Sequence, residues 1–174
     1  MMTRIAHCCC GTLRAEATGE PVFVGACHCT ECQRRTGSPF GVSTYFPKQQ
    51  IRTAGRSKVY VRGSDSGRKI EFHFCPDCGS TVFWYAEVLP DLIGISFGTF
   101  ADPSMPRPAV SVWETTRHPW VAFDHHLDRF AVQPEIDDRD LEQLSPRSCE
   151  RSQPPSCQWL LNRPATVVAE SARR

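Results

Sequence analysis

A mainly β fold of antiparallel sheets is what this chain predicts. Three observations carry that expectation: short runs of β-branched and aromatic residues, turn-forming residues between them, and little helical periodicity. The runs fall at residues 13–17, 22–26, 42–46, 58–62, 70–74, 81–85 and 93–97. In Ile70-Glu71-Phe72-His73-Phe74 and in Ile93-Gly94-Ile95-Ser96-Phe97 large apolar residues take every second position, which places them on one face of a half-buried strand. Gly63-Ser64-Asp65-Ser66-Gly67 and Leu89-Pro90-Asp91 favour tight reversals, so strands that follow one another pair antiparallel. Helix is confined to a turn or two at residues 31–36 and a short segment at 137–144, which lies between Pro134 and Pro146.

Size and charge narrow the function classes. With 174 residues, 40% hydrophobic and 22% charged, the chain can bury one real core. Residues 145–156 are rich in Ser, Pro and Arg and almost empty of large apolar residues, a composition that cannot offset its own ordering entropy. The expected organisation is therefore a folded unit at residues 1–135, followed by a short helix and a disordered tail at 136–174. A formal net charge of +1 offers no basic surplus for a phosphate backbone, so neither nucleic acid nor an anionic membrane is an expected partner. The first residues lack the apolar stretch of a secretory signal, and no later run approaches the roughly 18 apolar residues of a membrane span. A cytoplasmic, reducing location follows as an expectation, in which clustered cysteines stay free to bind metal.

Seven of the ten cysteines form three tight groups, Cys8-x-Cys10, Cys27-x-Cys29-x-x-Cys32 and Cys75-x-x-Cys78. Two pairs and one triplet match the two ways proteins hold zinc: four closed tetrahedral ligands for a structural ion, or three ligands and an open position for a catalytic one. Cys75-Pro76-Asp77-Cys78-Gly79 lies between two predicted strands, as a zinc knuckle at a hairpin does. A thioredoxin-type redox pair would instead open a helix in a βαβ setting. Residues two apart project to the same side of an extended chain, so Cys8 and Cys10 are taken as ligands, and Cys9 is the alternative for either. The economical partition puts Cys8, Cys10, Cys75 and Cys78 around a structural zinc and Cys27, Cys29 and Cys32 around a catalytic one, two ions per chain. If the triplet borrowed a fourth sulfur from either pair, a second site would have to be assembled from sequence-distant remainders.

Three thiolates make a bound zinc electron-rich, hence a poorer acidifier of water and a better host for a soft exogenous thiol. A thiol held there loses its proton yet remains a nucleophile for carbonyl carbon. His28 sits between ligands and points away from them in extended chain, so a surface or core role outweighs ligation. A zinc-deaminase reading fails on pattern, because Cys75 is preceded by Phe74 and Cys29-Thr30-Glu31 lacks the matching second half.

The run from Cys27 to Phe40, together with Cys8-x-Cys10-Gly11 and Cys75-Pro76-Asp77-Cys78-Gly79-Ser80, resembles the glutathione-dependent formaldehyde-activating enzyme family, which includes centromere protein V-like domains. The resemblance extends over about residues 4–130, closing with Arg117-His118-Pro119-Trp120-Val121 and Asp128-Arg129-Phe130. It implies a mainly antiparallel β fold, the four-cysteine structural and three-cysteine catalytic zinc sites at the positions named, and addition of glutathione to formaldehyde, a carbon–sulfur lyase chemistry. Its implied partners are a small-molecule thiol and an aldehyde. Arg34 and Arg35, just after the triplet, are candidates to hold a carboxylate of the thiol. The competing reading is a non-catalytic zinc-binding interaction module of the same fold. His28, His73 and His118 are the histidines to consider for proton delivery, and His125-His126 reads as a loop dipeptide because adjacent residues point apart.

Overall fold

Small side chains on one sheet and large ones on another decide how this protein stacks. The structure is a computed structural model and describes residues 2–65 and 67–134. Among these residues, eleven strands and one α-helix follow in the order β1 (Thr3–His7), β2 (Arg14–Thr18), β3 (Phe23–Cys27), α1 (Thr30–Thr36), β4 (Gly41–Pro47), β5 (Ile51–Ala54), β6 (Lys58–Gly63), β7 (Lys69–Phe74), β8 (Thr81–Ala86), β9 (Leu92–Ser96), β10 (Val110–Val112) and β11 (Asp128–Arg129). β1, β2 and β5 form a three-stranded antiparallel sheet. The rest form an eight-stranded sheet in the order β11-β10-β3-β4-β9-β8-β7-β6.

On the small sheet Ala6, Ala15 and Ala17 alternate inward with no exposed surface. Facing them are Phe46, Ile93, Ile95, Val82 and Phe83 of the large sheet, and the two sets close one core with Leu13, Phe100 and Met105. Alanines bring the small sheet close, and the large residues opposite fill the layer between. Strand β8 is buried on both faces, with Val82, Phe83 and Trp84 all covered.

The opposite face of the large sheet builds the site. Directly opposed residues share a face, so Cys27 and Gly41, Ser43 and Ser96, Tyr45 and Gly94, Gly94 and Trp84, and Trp84 and Phe72 line one side. The Trp84 indole lies across β9 where Gly94 has no side chain; a Cβ there would stand 2.2 Å from the indole nitrogen.

All seven expected strand runs are strands, with ends shifted by about a residue. Phe97, expected within a strand, begins a 3-10 turn, Phe97–Phe100, instead. The helix expected at residues 31–36 is α1, capped at its end by Gly37 in a left-handed conformation. One correction concerns strand direction. The large sheet is mixed, since β10 runs parallel to both β3 and β11. A parallel neighbour needs a long crossover, and turn chemistry between successive runs carries no signal for it. The expected helix at 137–144 and the expected disordered tail lie outside the described residues. No described helix is long and apolar enough to cross a membrane.

Candidate metal centres

Two knuckles meet at the end of the core. The Cys8 N–H donates to Leu13 O and the Gly11 N–H to Cys8 O, and this turns Cys8 and Cys10 toward one point. The Cys75 N–H donates to Ser80 O and the Gly79 N–H to Cys75 O, with Gly79 at φ 75, a backbone that side chains rarely adopt. Pairing of β7 with β8 slips between His73 and Phe74, where the chain leaves the ladder for this turn. As a result the Sγ atoms of Cys8, Cys10, Cys75 and Cys78 all lie within 4.8 Å of one another. Cys8 and Cys75 are fully buried, whereas Cys10 and Cys78 face solvent. Cys9 is exposed and outside the cluster, its N–H donating to Ser80 Oγ at 3.2 Å.

Hydrogen-bonding groups surround these sulfurs. Thr12 Oγ1 is 3.1 Å from Cys10 Sγ, 3.3 Å from Cys75 Sγ and 3.8 Å from Cys8 Sγ, and the Leu13 N–H donates to Cys8 Sγ at 3.2 Å. Burial alone would raise the Cys8 thiol, but the Leu13 amide and the neighbouring Cys10, Thr12 and Cys75 bring it down to about 7. The Ser80 hydroxyl and amide lower Cys78 to about 5. Cys10 is pushed up to about 11: Thr12 favours its thiolate, yet the bonds to Cys8 and Cys75, with some desolvation, outweigh that.

The second cluster comes from one continuous stretch at the end of β3 and the start of α1. Cys29 caps α1, its Sγ accepting from the Cys32 N–H at 3.4 Å. That turn swings Cys32 back toward Cys27, so the three sulfurs lie within 4.8 Å of one another, each half-buried. No fourth His, Cys, Asp or Glu joins them among the described residues. Their acidities are driven apart. Hydrogen bonds from Cys27 and then Cys32 pull Cys29 far below the ordinary thiol range, while the bonds to Cys29 and Cys32, burial and their negative charge push Cys27 far above it. Three sulfurs this close cannot all be thiolates unless a cation shares them. A soft donor set of this kind suits zinc, and both clusters can hold such an ion.

A buried polar network fixes the turn that carries the triplet. His28 is fully buried, as a core histidine rather than a ligand. Its Nε2 lies 3.1 Å from Ser111 Oγ, whose hydroxyl donates to Glu114 Oε1. With the hydroxyl hydrogen used on Glu114, Ser111 accepts from Nε2–H, and Nδ1 is left without a partner among the phenyl rings of Phe40 and Phe123. Burial lowers the His28 pKa and keeps the ring neutral, despite the opposing pull of Glu114. Glu114 itself is desolvated, but Ser111, Arg117 and Arg129 hold its carboxyl below the usual range. The His28 carbonyl accepts from Gln33 Nε2 at 2.7 Å and Thr116 Oγ1 at 2.9 Å, and the His28 N–H donates to Val112 O at 3.1 Å.

Other predicted residues separate clearly. Arg34 is exposed and paired with Glu31. Arg35 turns inward, its guanidinium carbon 5.1 Å from the Phe72 ring centre and 5.0 Å from that of Trp84. His118 binds Gln33 Oε1 at 3.1 Å. His73 lies on the core face, stacked on Phe83 and held by Ser57 and Glu71. His125 binds Pro108 O and Asp124 while His126 faces solvent, and neither belongs to a metal-ligating cluster among the described residues. Trp120 is exposed beside His118.

Sequence reasoning missed Tyr45, whose hydroxyl accepts from Trp84 Nε1 at 3.4 Å. Burial pushes its phenol up, and negative charge at Cys32 and Cys27 adds to that push against the Trp84 bond, so the hydroxyl keeps its proton. It also missed Arg62, Ser111 and Glu114, because none of them belongs to a local motif.

A protein-family model described as glutathione-dependent formaldehyde-activating enzyme matches residues 3–116. Among solved structures, a crystal structure of a Rhodobacter sphaeroides structural-genomics protein is similar, at 18% identity and a TM-score of 0.45, over 59% of this chain and 90% of that one. No curated protein matches.

Proposed function

The chain belongs to the glutathione-dependent formaldehyde-activating enzyme family, and from that premise we propose that it is a zinc-dependent carbon–sulfur lyase adding a thiol such as glutathione to formaldehyde or a related small aldehyde. One observation carries the reading: Cys27, Cys29 and Cys32 converge without a fourth protein donor among the described residues, on a sheet face lined by polar and aromatic side chains. The assignment gives Cys8, Cys10, Cys75 and Cys78 a structural ion, which explains why they close the end of the core while the triplet stays half-buried beside that lined face.

Zinc bound by the triplet would stabilise the thiolate of an added thiol. The protein's own residues do the rest. Gln33, Thr116 and Val112 hold the His28 backbone, and so the spacing of Cys27 and Cys29, through bonds of 2.7 to 3.1 Å. Arg35 offers a guanidinium for the carboxylate of the thiol. Tyr45 presents a protonated hydroxyl to the oxygen of the aldehyde. In the net reaction the sulfur bonds to the carbonyl carbon, the carbon–oxygen π bond opens, and the thiol proton ends on the new hydroxyl. Holding thiol and aldehyde together converts a bimolecular encounter into a local one.

The test is to mix zinc-loaded protein with glutathione and formaldehyde and follow the hydroxymethyl adduct by NMR against the uncatalysed background. Faster adduct formation supports the lyase. A rate equal to background across several thiol and aldehyde pairs points to the non-catalytic module.

A further inference from the structure

Among the described residues, six arginines are each tied to a carboxylate: Arg4, Arg34, Arg56, Arg107, Arg117 and Arg129. Arg14, Arg35, Arg52, Arg62 and Arg68 form no ion pair there, and of these Arg35 and Arg62 meet at the same aromatic ring. Arg35 comes from the last turn of α1 and Arg62 from the edge strand β6. Their guanidinium carbons lie 5.1 Å and 5.6 Å from the Phe72 ring centre. Two like charges drawn to one ring repel each other, which leaves an arrangement that an anion would relieve.

Arg35 also adjoins the triplet, and Arg62 is tied to that neighbourhood through the Phe72 ring they share. A Cβ on Gly41 would stand 3.2 Å from Arg35 Nη2 and 3.4 Å from Cys32 Cβ, so that guanidinium and that cysteine flank the same small space. Arg62 is oriented by a bond from Nη1 to Gly63 O at 2.9 Å, and Arg35 Nε is buried without a partner. Each keeps further N–H groups for a planar, bidentate acceptor.

We infer that Arg35 and Arg62 form a carboxylate clamp beside the three-cysteine centre, with Arg62 the residue that determines specificity for an anionic over a neutral thiol. The inference rests on the reading of that centre as the thiol site, and it adds a residue 30 positions beyond Cys32. Arg34, next to Arg35 in sequence, takes no part because Glu31 engages it.

The probe is S-methylglutathione, which keeps both carboxylates but has no thiol to offer a metal, compared with its diethyl ester. Binding to the zinc-loaded full-length protein is measured by calorimetry. Wild type should bind the diacid roughly tenfold or more tightly than the diester, as expected for losing hydrogen bonds to a charged group. Arg62→Gln should abolish that preference, Arg62→Lys should restore part of it, and the diester should bind all three alike. Circular dichroism establishes that each variant is folded, and Arg35→Gln provides a second, independent loss. Equal binding of the diacid by wild type and Arg62→Gln, or no preference for diacid in wild type, overturns the clamp. Adduct formation from formaldehyde with the neutral thiol 2-mercaptoethanol tests the lyase reading separately, so failure there leaves the calorimetry to decide the clamp.

Discussion

The two cysteine clusters are built from the same ligand and differ in everything else. The four-cysteine cluster joins chain segments that are far apart, Cys10 and Cys75 being separated by 65 positions, and two of its sulfurs are fully buried. The three-cysteine cluster comes from six consecutive residues, and all its sulfurs are half-buried on a lined sheet face. Bringing distant segments together costs loop entropy, so an ion there contributes to folding. The triplet closes no long loop. Its geometry is set instead by the helix cap at Cys29 and by the His28, Ser111 and Glu114 network, and the proposed function assigns an ion there to chemistry.

The largest test of that contrast is Cys75→Ser. Structural zinc contributes an apparent ~10–16 kcal/mol, which meets or exceeds the ~5–15 kcal/mol of a typical domain. The variant is expected to lose metal and tertiary structure together by near-ultraviolet circular dichroism and elemental analysis. A folded Cys75→Ser protein with unchanged metal would erase the distinction between the clusters. Next comes Cys27→Ala, which should stay folded while adduct formation drops to the uncatalysed rate.

Gly94→Ala probes the sheet face that lies beside the triplet. The new Cβ would stand 2.2 Å from Trp84 Nε1, so the indole must move, at a cost of about 1–3 kcal/mol read as a lower Tm. If Tm is unchanged, the Trp84 contact with β9 is looser than described. A smaller effect should appear with pH. Glu114 is held below the usual carboxylate range in the folded state, so its stabilisation is present above the unfolded value of about 4.3 and is lost as pH falls through the folded one. Glu114→Gln should therefore narrow its Tm deficit relative to wild type as pH drops below about 4. A deficit that does not vary with pH would count against the network. The smallest effect belongs to Cys9→Ser, whose side chain lies outside the cluster and which should leave metal content unchanged.

Legibility followed the same divide between local and distant signals. Runs such as residues 70–74 and 93–97 alternate large apolar residues and were readable as strands, and the cysteine spacings pointed to the two groups that the fold assembles. Strand β1 was not readable because its inward positions hold Arg4 and Ala6, with Ile5 facing solvent. Strands β10 and β11 are three and two residues long and acquire their direction from distant pairing. The Arg34 and Arg35 pair looked symmetric in sequence, and only the placement of α1 beside β4 separates a solvated ion pair from a guanidinium that reaches Phe72 and Trp84. Ser111 reaches His28 across 83 positions, a contact without a local signature.

The most direct measurement is zinc per chain in purified wild type and Cys27→Ala, by elemental analysis with circular dichroism on the same samples. About two zinc in wild type and one in a fully folded Cys27→Ala is the predicted result. Equal zinc in the two proteins, or collapse of the fold when Cys27 alone is changed, would contradict the separation of a closed structural centre from an open chemical one.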